Sequence, residues 1–457
     1  MANREHWGSR LGFILAASGS AVGLGNIWKF PHMAGANGGA AFTLVYLICI
    51  LVVGMPILIG EFVIGRKTQL NPVGAFEKLA PKSWWKGVGY LGVASAFVIL
   101  SFYSVVGGWT LRYTFLSLMG GFHELAGNPE LSGNLFNSFI TSDWNPLFWH
   151  FIFMGLCIWI IINGVKGGIE KWSKIMMPMI LIILLVLAVR GMTLPGGLEG
   201  MKFLFLPKFS DLTASSIVLA LGHAFFTLSL GMGTMITYGS YLRGDQNLIS
   251  SGVLILIIDT LIAMLAGIAI FTTVFAMGAD PAEGAGLIFV VLPTIFPQLA
   301  GGVIWGTLFF FLLFLAALTS AISILEVITA YFIDQKGWSR ARATVTFGGI
   351  ISVVGIFCSL SMGGFSDFGA IFKMNFFDFL DYASSKYMLP IGGMMTALFI
   401  IFKWGVPNFI TEIKLGFSGK FLPAGVVSFL LTIASGVVLF FIANEVIAII
   451  TGNPIVG

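Results

Sequence analysis

The stretch GSAVGLGNIWKFP (19–31) lies inside the first hydrophobic segment, between LGFILAA (11–17) and AAFTLVYLICILVVGMPILI (40–59). It collects Gly19, Ser20, Gly23, Gly25 and Asn26 where hydrocarbon demands a continuous helix, and these residues are weak helix formers. A lipid-facing backbone cannot leave its polar groups unpaired, since each costs several kcal/mol. Interrupted helix is tolerated at membrane depth only where protein walls a cavity. The run therefore predicts that the first span unwinds near Ser20 to Gly25. Close helix packing through small residues is the alternative reading of the same glycines.

The rest of the chain makes the membrane setting plain. Of 457 residues, 57% are hydrophobic and 10% charged, against about 25% charged in soluble domains. Mean hydropathy is +0.97. Apolar runs recur along the whole length, long enough to cross ~30 Å of hydrocarbon at 1.5 Å per residue, and no ten-residue alternation points to a barrel. The pattern predicts an all-α polytopic membrane protein with eleven spans, at 10–36, 40–65, 87–118, 146–163, 169–190, 213–241, 248–277, 300–333, 341–361, 377–403 and 422–450. Residues 1–9 form a short polar segment and no soluble domain interrupts the chain. Cys49, Cys157 and Cys358 all fall in apolar segments, away from any disulfide framework.

Basic residues sort by side. Arg4, Arg10, Arg66, Lys67, Lys166, Lys171, Arg243, Lys336, Arg340 and Lys414 share one side, whereas the loops 119–145 and 278–299 carry no Lys or Arg. The positive-inside rule puts the N-terminus in the cytoplasm and, after eleven spans, the C-terminus outside. The net charge of +4 follows from this sorting and implies no nucleic-acid partner. GLIFVVLP (286–293) is too short to span; it reads either as an element dipping into an external vestibule or as a loop on the bundle surface.

Span 6 carries a second interruption, FFTLSLGMGTMITY (225–238), with Thr227 and Ser229 before Gly231 and Gly233. Breaks in the first and the sixth spans occupy matching places in two five-span halves, 10–190 and 213–403, with 422–450 as an added helix. That is the pattern of an inverted-repeat transporter with its site at mid-membrane. Exposed half-helix N-termini attract a carboxylate, and freed carbonyls suit an ammonium group or Na⁺. Asp259 stands out independently, an acid in the middle of GVLILIIDTLIAMLAG (252–267), where ionisable groups are expensive and usually functional. Paired aspartates on facing spans, HExxH and a Gly-x-Ser-x-Gly elbow are all missing from the sequence, which argues against an intramembrane enzyme.

RLGFILAASGSAVGLGNIWKFP (10–31) and FFTLSLGMGTMITYGSY (225–241), with PILIGEFVIGR (56–66) and FLAALTSAISILE (314–326), resemble the neurotransmitter:sodium symporter family, whose structural type is the bacterial leucine transporter. The resemblance runs over essentially the whole chain, and the eleven-span form is similar to the bacterial members, including those that carry many hydrophobic amino acids. It implies the 5+5 inverted repeat of the leucine-transporter type with spans 1 and 6 unwound, sited in the cell membrane as a monomer or weak homodimer. It also implies a Na⁺-coupled symporter of hydrophobic L-amino acids, branched aliphatic to aromatic, with leucine and tryptophan among them.

Carried onto these residues, the resemblance implies a substrate carboxylate at the N–H groups of Leu24 and Gly25 and the Tyr103 hydroxyl. The ammonium would meet carbonyls of Ala21 and Phe226, near Thr227 and Ser229. The side chain would lie among Ser20, Ile99, Phe226, Met232, Ser320 and Ile324. Met232 stands where the leucine transporter has Phe, and a flexible thioether suits guests of varied size. Two Na⁺ sites are implied, one from Ala21, Asn26, Thr227, Asp259 and the substrate carboxylate, the other from Gly19, Val22, Ala316, Thr319 and Ser320. All these ligands are hard oxygens, as an alkali ion requires.

The family commonly has Asn where this chain has Asp259. That departure, near Tyr46 and His223, implies a permanent negative charge in place of chloride. A proton-coupled permease of the same fold, with Asp259 as carrier, is the alternative. The resemblance also implies gates: Lys29 with Asp381 outside, over Tyr103 and Phe226, and Arg4 with Asp334 inside, with Trp7 and Tyr241 beside them. Glu326 is expected in the inner network and Glu61 at the backbone near the first break. Gly168 and Pro178 bracket a part of span 5 that unwinding would open to water.

Overall fold

The computed structural model describes residues 4–244, 246–281, 286–366, 374–417, 419 and 422–451. The described residues are overwhelmingly helical. Among them, nine helices are long and apolar enough to cross a membrane, and the bent pair Arg10–Ala21 and Gly25–Ala36 makes a tenth span. The remaining span, the sixth, falls short of any such length because it is split into Ala214–Thr227 and Thr234–Gly239. The others are Ala40–Thr68, Lys86–Leu118, Asn145–Ile162, Val165–Met192, Leu248–Ala276, Gly302–Lys336, Arg340–Leu360, Phe376–Trp404 and Ala424–Ile447. We call these spans 1 to 11 in chain order.

Span 8 is the central column. Within its most apolar stretch 89% of residues are buried inside the protein, against 33% for span 11, which faces lipid. Span 3 packs antiparallel along it: Tyr90 meets Tyr331 at one end (ring centroids 6.1 Å), while Ser117 donates to the Val303 carbonyl (3.5 Å) at the other. The chain ends of these contacts define two ends of the bundle. One carries residues 4–9 and most of the basic residues, and we call it the basic end.

Each break has a local cause. In span 1 the helix stops where Val22 turns to φ −75°, ψ 95°, and the axis bends by 49° before the chain coils again at Gly25. Gly23 is required there, because a Cβ would come within 2.9 Å of the Tyr103 hydroxyl. In span 6, Ser229, Gly231 and Gly233 have φ of 52°, 79° and 78°. L-residues avoid that region. Ser229 is held in it by its own side chain, which donates to the Ser20 carbonyl at 2.8 Å. The two breaks thus face each other across the bundle.

Glu61 lies elsewhere than its sequence position suggested. It accepts from the Gly231 N–H at 2.8 Å, so it serves the break in span 6, not the one in span 1. The reason is packing: Met55–Thr68 of span 2 runs directly against Thr234–Gly239. Of the two readings of 286–293, the structure supports the dipping element. Leu287–Gln298 tucks under the helix Pro129–Ile140, where Phe289 stacks on Phe136 (5.3 Å) and reaches Trp28 of span 1 (5.8 Å).

At the basic end the N-terminal segment is stitched to span 5 in both directions. Glu5 accepts from the Val165 N–H (2.6 Å), while Glu170 accepts from the Gly8 N–H (2.6 Å), the Ser9 hydroxyl (2.9 Å) and Lys174 (2.6 Å). Nearby, the buried Arg66 joins span 2 to the helix Val406–Ile413 through Glu412 (3.0 Å) and to the Gln246 carbonyl (2.7 Å).

Gly231→Ala tests whether the second break is built in. The left-handed backbone alone costs an alanine ~1–2 kcal/mol, and its Cβ would strike the Leu389 carbonyl. Thermal unfolding in detergent should show a midpoint lowered by several degrees; an unchanged midpoint would mean the break is not locked by that residue.

Candidate functional site

The two breaks enclose a small cavity of about 20 Å³ at the middle of the bundle. Ser20, Ala21, Gly23 and Gly25 line it from span 1, Ile99 and Tyr103 from span 3, Phe226, Thr227, Ser229 and Met232 from span 6, and Ser320 and Ile324 from span 8. Of the twelve substrate residues expected from the sequence, only Leu24 is missing from the wall. Its N–H points at the Tyr103 hydroxyl (3.2 Å). Gly23 is the wall residue that sequence reasoning passed over, although it is the middle glycine of the opening run. Among the described residues, no charged side chain lines the cavity. All its walls are buried except Phe226, whose ring is partly exposed to a wider vestibule.

Asp259 lies just behind this wall, fully buried in span 7. Its Oδ1 accepts from the Asn26 amide (2.8 Å) and the Thr227 hydroxyl (3.3 Å), and Thr227 also donates to Asn26 Oδ1 (3.0 Å). Asp259 Oδ2 is buried with no hydrogen-bond partner among the described residues. A buried carboxylate with a spare oxygen needs a counter-charge. The surrounding amide and hydroxyl oxygens are hard donors of the kind an alkali ion takes. Tyr46 packs at a tilt against His223 (ring centroids 5.1 Å).

A second oxygen cluster sits between spans 1 and 8. Thr319 Oγ1 donates to the carbonyls of Ala316 (2.9 Å) and Val22 (3.3 Å). Ser320 Oγ lies 3.4 Å from the carbonyls of Gly19 and Val22 and 3.1 Å from that of Ser20. All five residues expected for the second ion are therefore together. The hydroxyls occupy carbonyls that the break has released from helical pairing.

Both ends of the route carry polar closures. On the vestibule side Lys29 pairs with Asp381 at 2.8 Å and lies over the Phe226 ring at 4.1 Å. At the basic end Arg4 pairs with Asp334 and Ser240. Trp7 is 4% exposed; its indole donates to the Tyr238 carbonyl (3.0 Å) and its ring packs edge-on against Tyr238 and Tyr241. Tyr241 donates to Glu326 (2.5 Å), and Arg340 clamps the same carboxylate at 2.7 and 3.0 Å while also meeting Glu5 (3.0 Å). Arg340 was not foreseen as a gate residue; its only sequence signal was a basic residue at the start of span 9.

Gly168 and Pro178 lie in a wound segment here. Val165–Glu170 forms one wide turn and Lys171–Met192 a continuous helix with Pro178 inside it. In this state Gly168 lets span 5 approach the Ile160 carbonyl of span 4 more closely than a side chain would allow.

A membrane-embedded bundle, a closed cavity between two broken helices and oxygen clusters beside it define a secondary transporter, not an enzyme. A profile of the Sodium:neurotransmitter symporter family matches residues 4–126 and 138–454, and the chain belongs to that family. It is a multi-pass, sodium-dependent transporter with the leucine-transporter fold. The crystal structure of MhsT in complex with L-phenylalanine is similar to it at 46% identity and a TM-score of 0.88, over 96% of this chain and 100% of that one. An uncharacterized sodium-dependent transporter of Bacillus subtilis is 42% identical over 90% of both chains. Another, from Haemophilus influenzae, is 36% identical over 87% of this chain and 89% of its own.

Arg340→Met should leave Glu326 without its counter-charge in a fully buried position, at a cost of ~3–5 kcal/mol. Its unfolding temperature should drop, and adding Glu326→Gln should recover part of the loss. Additive effects in that double-mutant cycle would deny the coupling.

Proposed function

We propose that this chain imports hydrophobic L-amino acids by Na⁺-coupled alternating access, with two Na⁺ per cycle and no need of chloride. The observation that carries the reading is the uncharged cavity at two facing helix breaks, with an orphaned carboxylate oxygen directly behind it. An α-amino acid would set its carboxylate at the Leu24 and Gly25 N–H groups and the Tyr103 hydroxyl, where the second half of span 1 begins. Its ammonium would meet the Ala21 and Phe226 carbonyls. Apolar side chains suit Ile99, Met232 and Ile324, and MhsT was crystallised with such a guest.

The carboxylate would also be a ligand of the ion held by Ala21, Asn26, Thr227 and Asp259. Cargo and cation then favour each other's binding, which is coupling with a physical cause. The second ion, held by Gly19, Val22, Ala316, Thr319 and Ser320, would join span 1 to span 8. A 100 mV potential and a tenfold gradient give roughly 2.3 and 1.4 kcal/mol per ion. Two ions would drive roughly 7 kcal/mol, or about five decades of accumulation.

In this reading the basic end is cytoplasmic. Arg4–Asp334 closes that side and Lys29–Asp381, above Phe226 and Tyr103, closes the other. With both formed, the conformation is occluded. Release inward would part Arg4 from Asp334, withdraw Trp7 and unwind span 5 between Gly168 and Pro178.

Uptake of labelled leucine and tryptophan into liposomes tests the proposal. It should require external Na⁺, be indifferent to replacement of chloride by gluconate, and be blocked by a panel of hydrophobic amino acids. Thr319→Val keeps the shape but removes a hydroxyl ligand; it should raise the Na⁺ concentration for half-maximal uptake about tenfold. Asp259→Asn should make uptake respond to chloride. Uptake without Na⁺ that follows a pH gradient would replace this reading with the proton-coupled one.

A further inference from the structure

Spans 1 and 5 run side by side from the basic end, in step with one another. A Cβ added at Gly12 would fall on the Glu170 carboxylate, and one added at Gly19 would come within 3.3 Å of Met177 Sδ. Gly19 and Met177 each lie seven residues, about two turns, beyond Gly12 and Glu170, so the two helices keep one register. The pair nearer the basic end is polar and fixed: Glu170 accepts from the Gly8 N–H, the Ser9 hydroxyl and Lys174. The deeper pair is apolar and lies at the edge of the second oxygen cluster.

The point where a Gly19 Cβ would sit is also 3.3 Å from Thr319 Cβ, so Met177 and Thr319 flank Gly19 from spans 5 and 8. Met177 is itself 3% exposed. The cluster of Gly19, Val22, Ala316, Thr319 and Ser320 thus has spans 1 and 8 as two walls, and Met177 covers it at Gly19 from the side of span 5.

Two features suit this side chain to a cover that moves. Met177 precedes Pro178, which has no N–H to give the Lys174 carbonyl, so span 5 is one helical bond short along the turn that carries Met177. Its thioether is soft and does not compete for an alkali ion with the carbonyl and hydroxyl oxygens beside it. The unbranched side chain can also swing about three torsions, where a branched one is stiff.

We infer that Met177 is the seal between the second Na⁺ cluster and the water at the basic end. In place, it keeps the ion dry; withdrawn from the seam between spans 1 and 5, it lets water in and the ion out. It is a positioning residue that acts by excluding solvent and supplies no ligand. The inference rests on the two-ion reading above and adds to it the side chain that times release of the second ion.

The test follows oxidation of single methionines by hydrogen peroxide in the reconstituted full chain, read by mass spectrometry. Met177 sulfoxide should form about tenfold faster in K⁺ than in saturating Na⁺ with leucine, because peroxide needs solvent access to the sulfur. Met154, 1% exposed in span 4, should react at one slow rate in both salts. This comparison depends on no variant folding. Met177→Ala should raise the Na⁺ concentration for half-maximal leucine binding about fivefold, with leucine affinity in saturating Na⁺ as the control that a merely structural defect would move instead. Met177→Leu, close in volume, should keep the original Na⁺ requirement. Equal oxidation of Met177 in the two salts, or a Na⁺ requirement unmoved by Met177→Ala, overturns the assignment. Leucine binding indifferent to Na⁺ in the unaltered protein would defeat the two-ion reading itself, and this inference with it.

Discussion

Backbone groups freed from helical pairing in mid-membrane are the constraint on which everything else rests. Such groups are too costly to leave exposed to hydrocarbon, so the fold commits its polar side chains to them. Thr319 and Ser320 answer the carbonyls of span 1, Ser229 answers Ser20, and Glu61 answers the Gly231 N–H. The long, buried span 8 presents its hydroxyls to span 1 at this level and a buried carboxylate, Glu326, nearer the basic end. Three of its hydroxyls cluster at 319–323, and about half of its remaining length is Leu, Ile and Phe.

In the proposed function the same groups would serve recognition and ion binding. Hydroxyl-to-carbonyl contacts of 2.9 to 3.4 Å around Thr319 and Ser320 are loose compared with a helical ladder. A cation drawn to those carbonyls would compete with hydroxyl protons, not with other peptide groups, so the exchange would be mild. At Asp259 the balance differs, because an ionisable carboxyl is present and one of its oxygens has no partner among the described residues. The two oxygen clusters are thus unlike: one holds only hydroxyls and carbonyls shared between spans 1 and 8, the other adds an ionisable carboxyl and is shared among spans 1, 6 and 7.

Much of this is legible in the sequence. Span positions follow from apolar length alone, since hydrocarbon sets it. The breaks are legible because glycine and serine inside an apolar run weaken the helix where lipid least tolerates it, and Asp259 because a charge at that depth needs a counter-charge. What stays hidden is partner choice. Sequence position assigns Glu61 to the nearer break, but a carboxylate in a helix goes to whichever neighbour packs against it, and span 2 packs on span 6. Arg340 looks like one more basic residue at a membrane face; its grip on Glu326 depends on how spans 8 and 9 turn relative to one another. Gly23 escapes notice because its task, making room for the Tyr103 hydroxyl, is visible only across the bundle.

The doubled stitching between residues 4–9 and the start of span 5 has a mechanical corollary. Three carboxylates, Glu5, Glu170 and Asp334, hold the segment at separate points along six residues, and each holds it through charge-assisted bonds. A strap so fastened stays seated when any one anchor loosens, since the others still hold it. Were the anchors to part together, the segment would act as a snap fastener and convert small shifts deep in the bundle into an abrupt yes-or-no event at the surface.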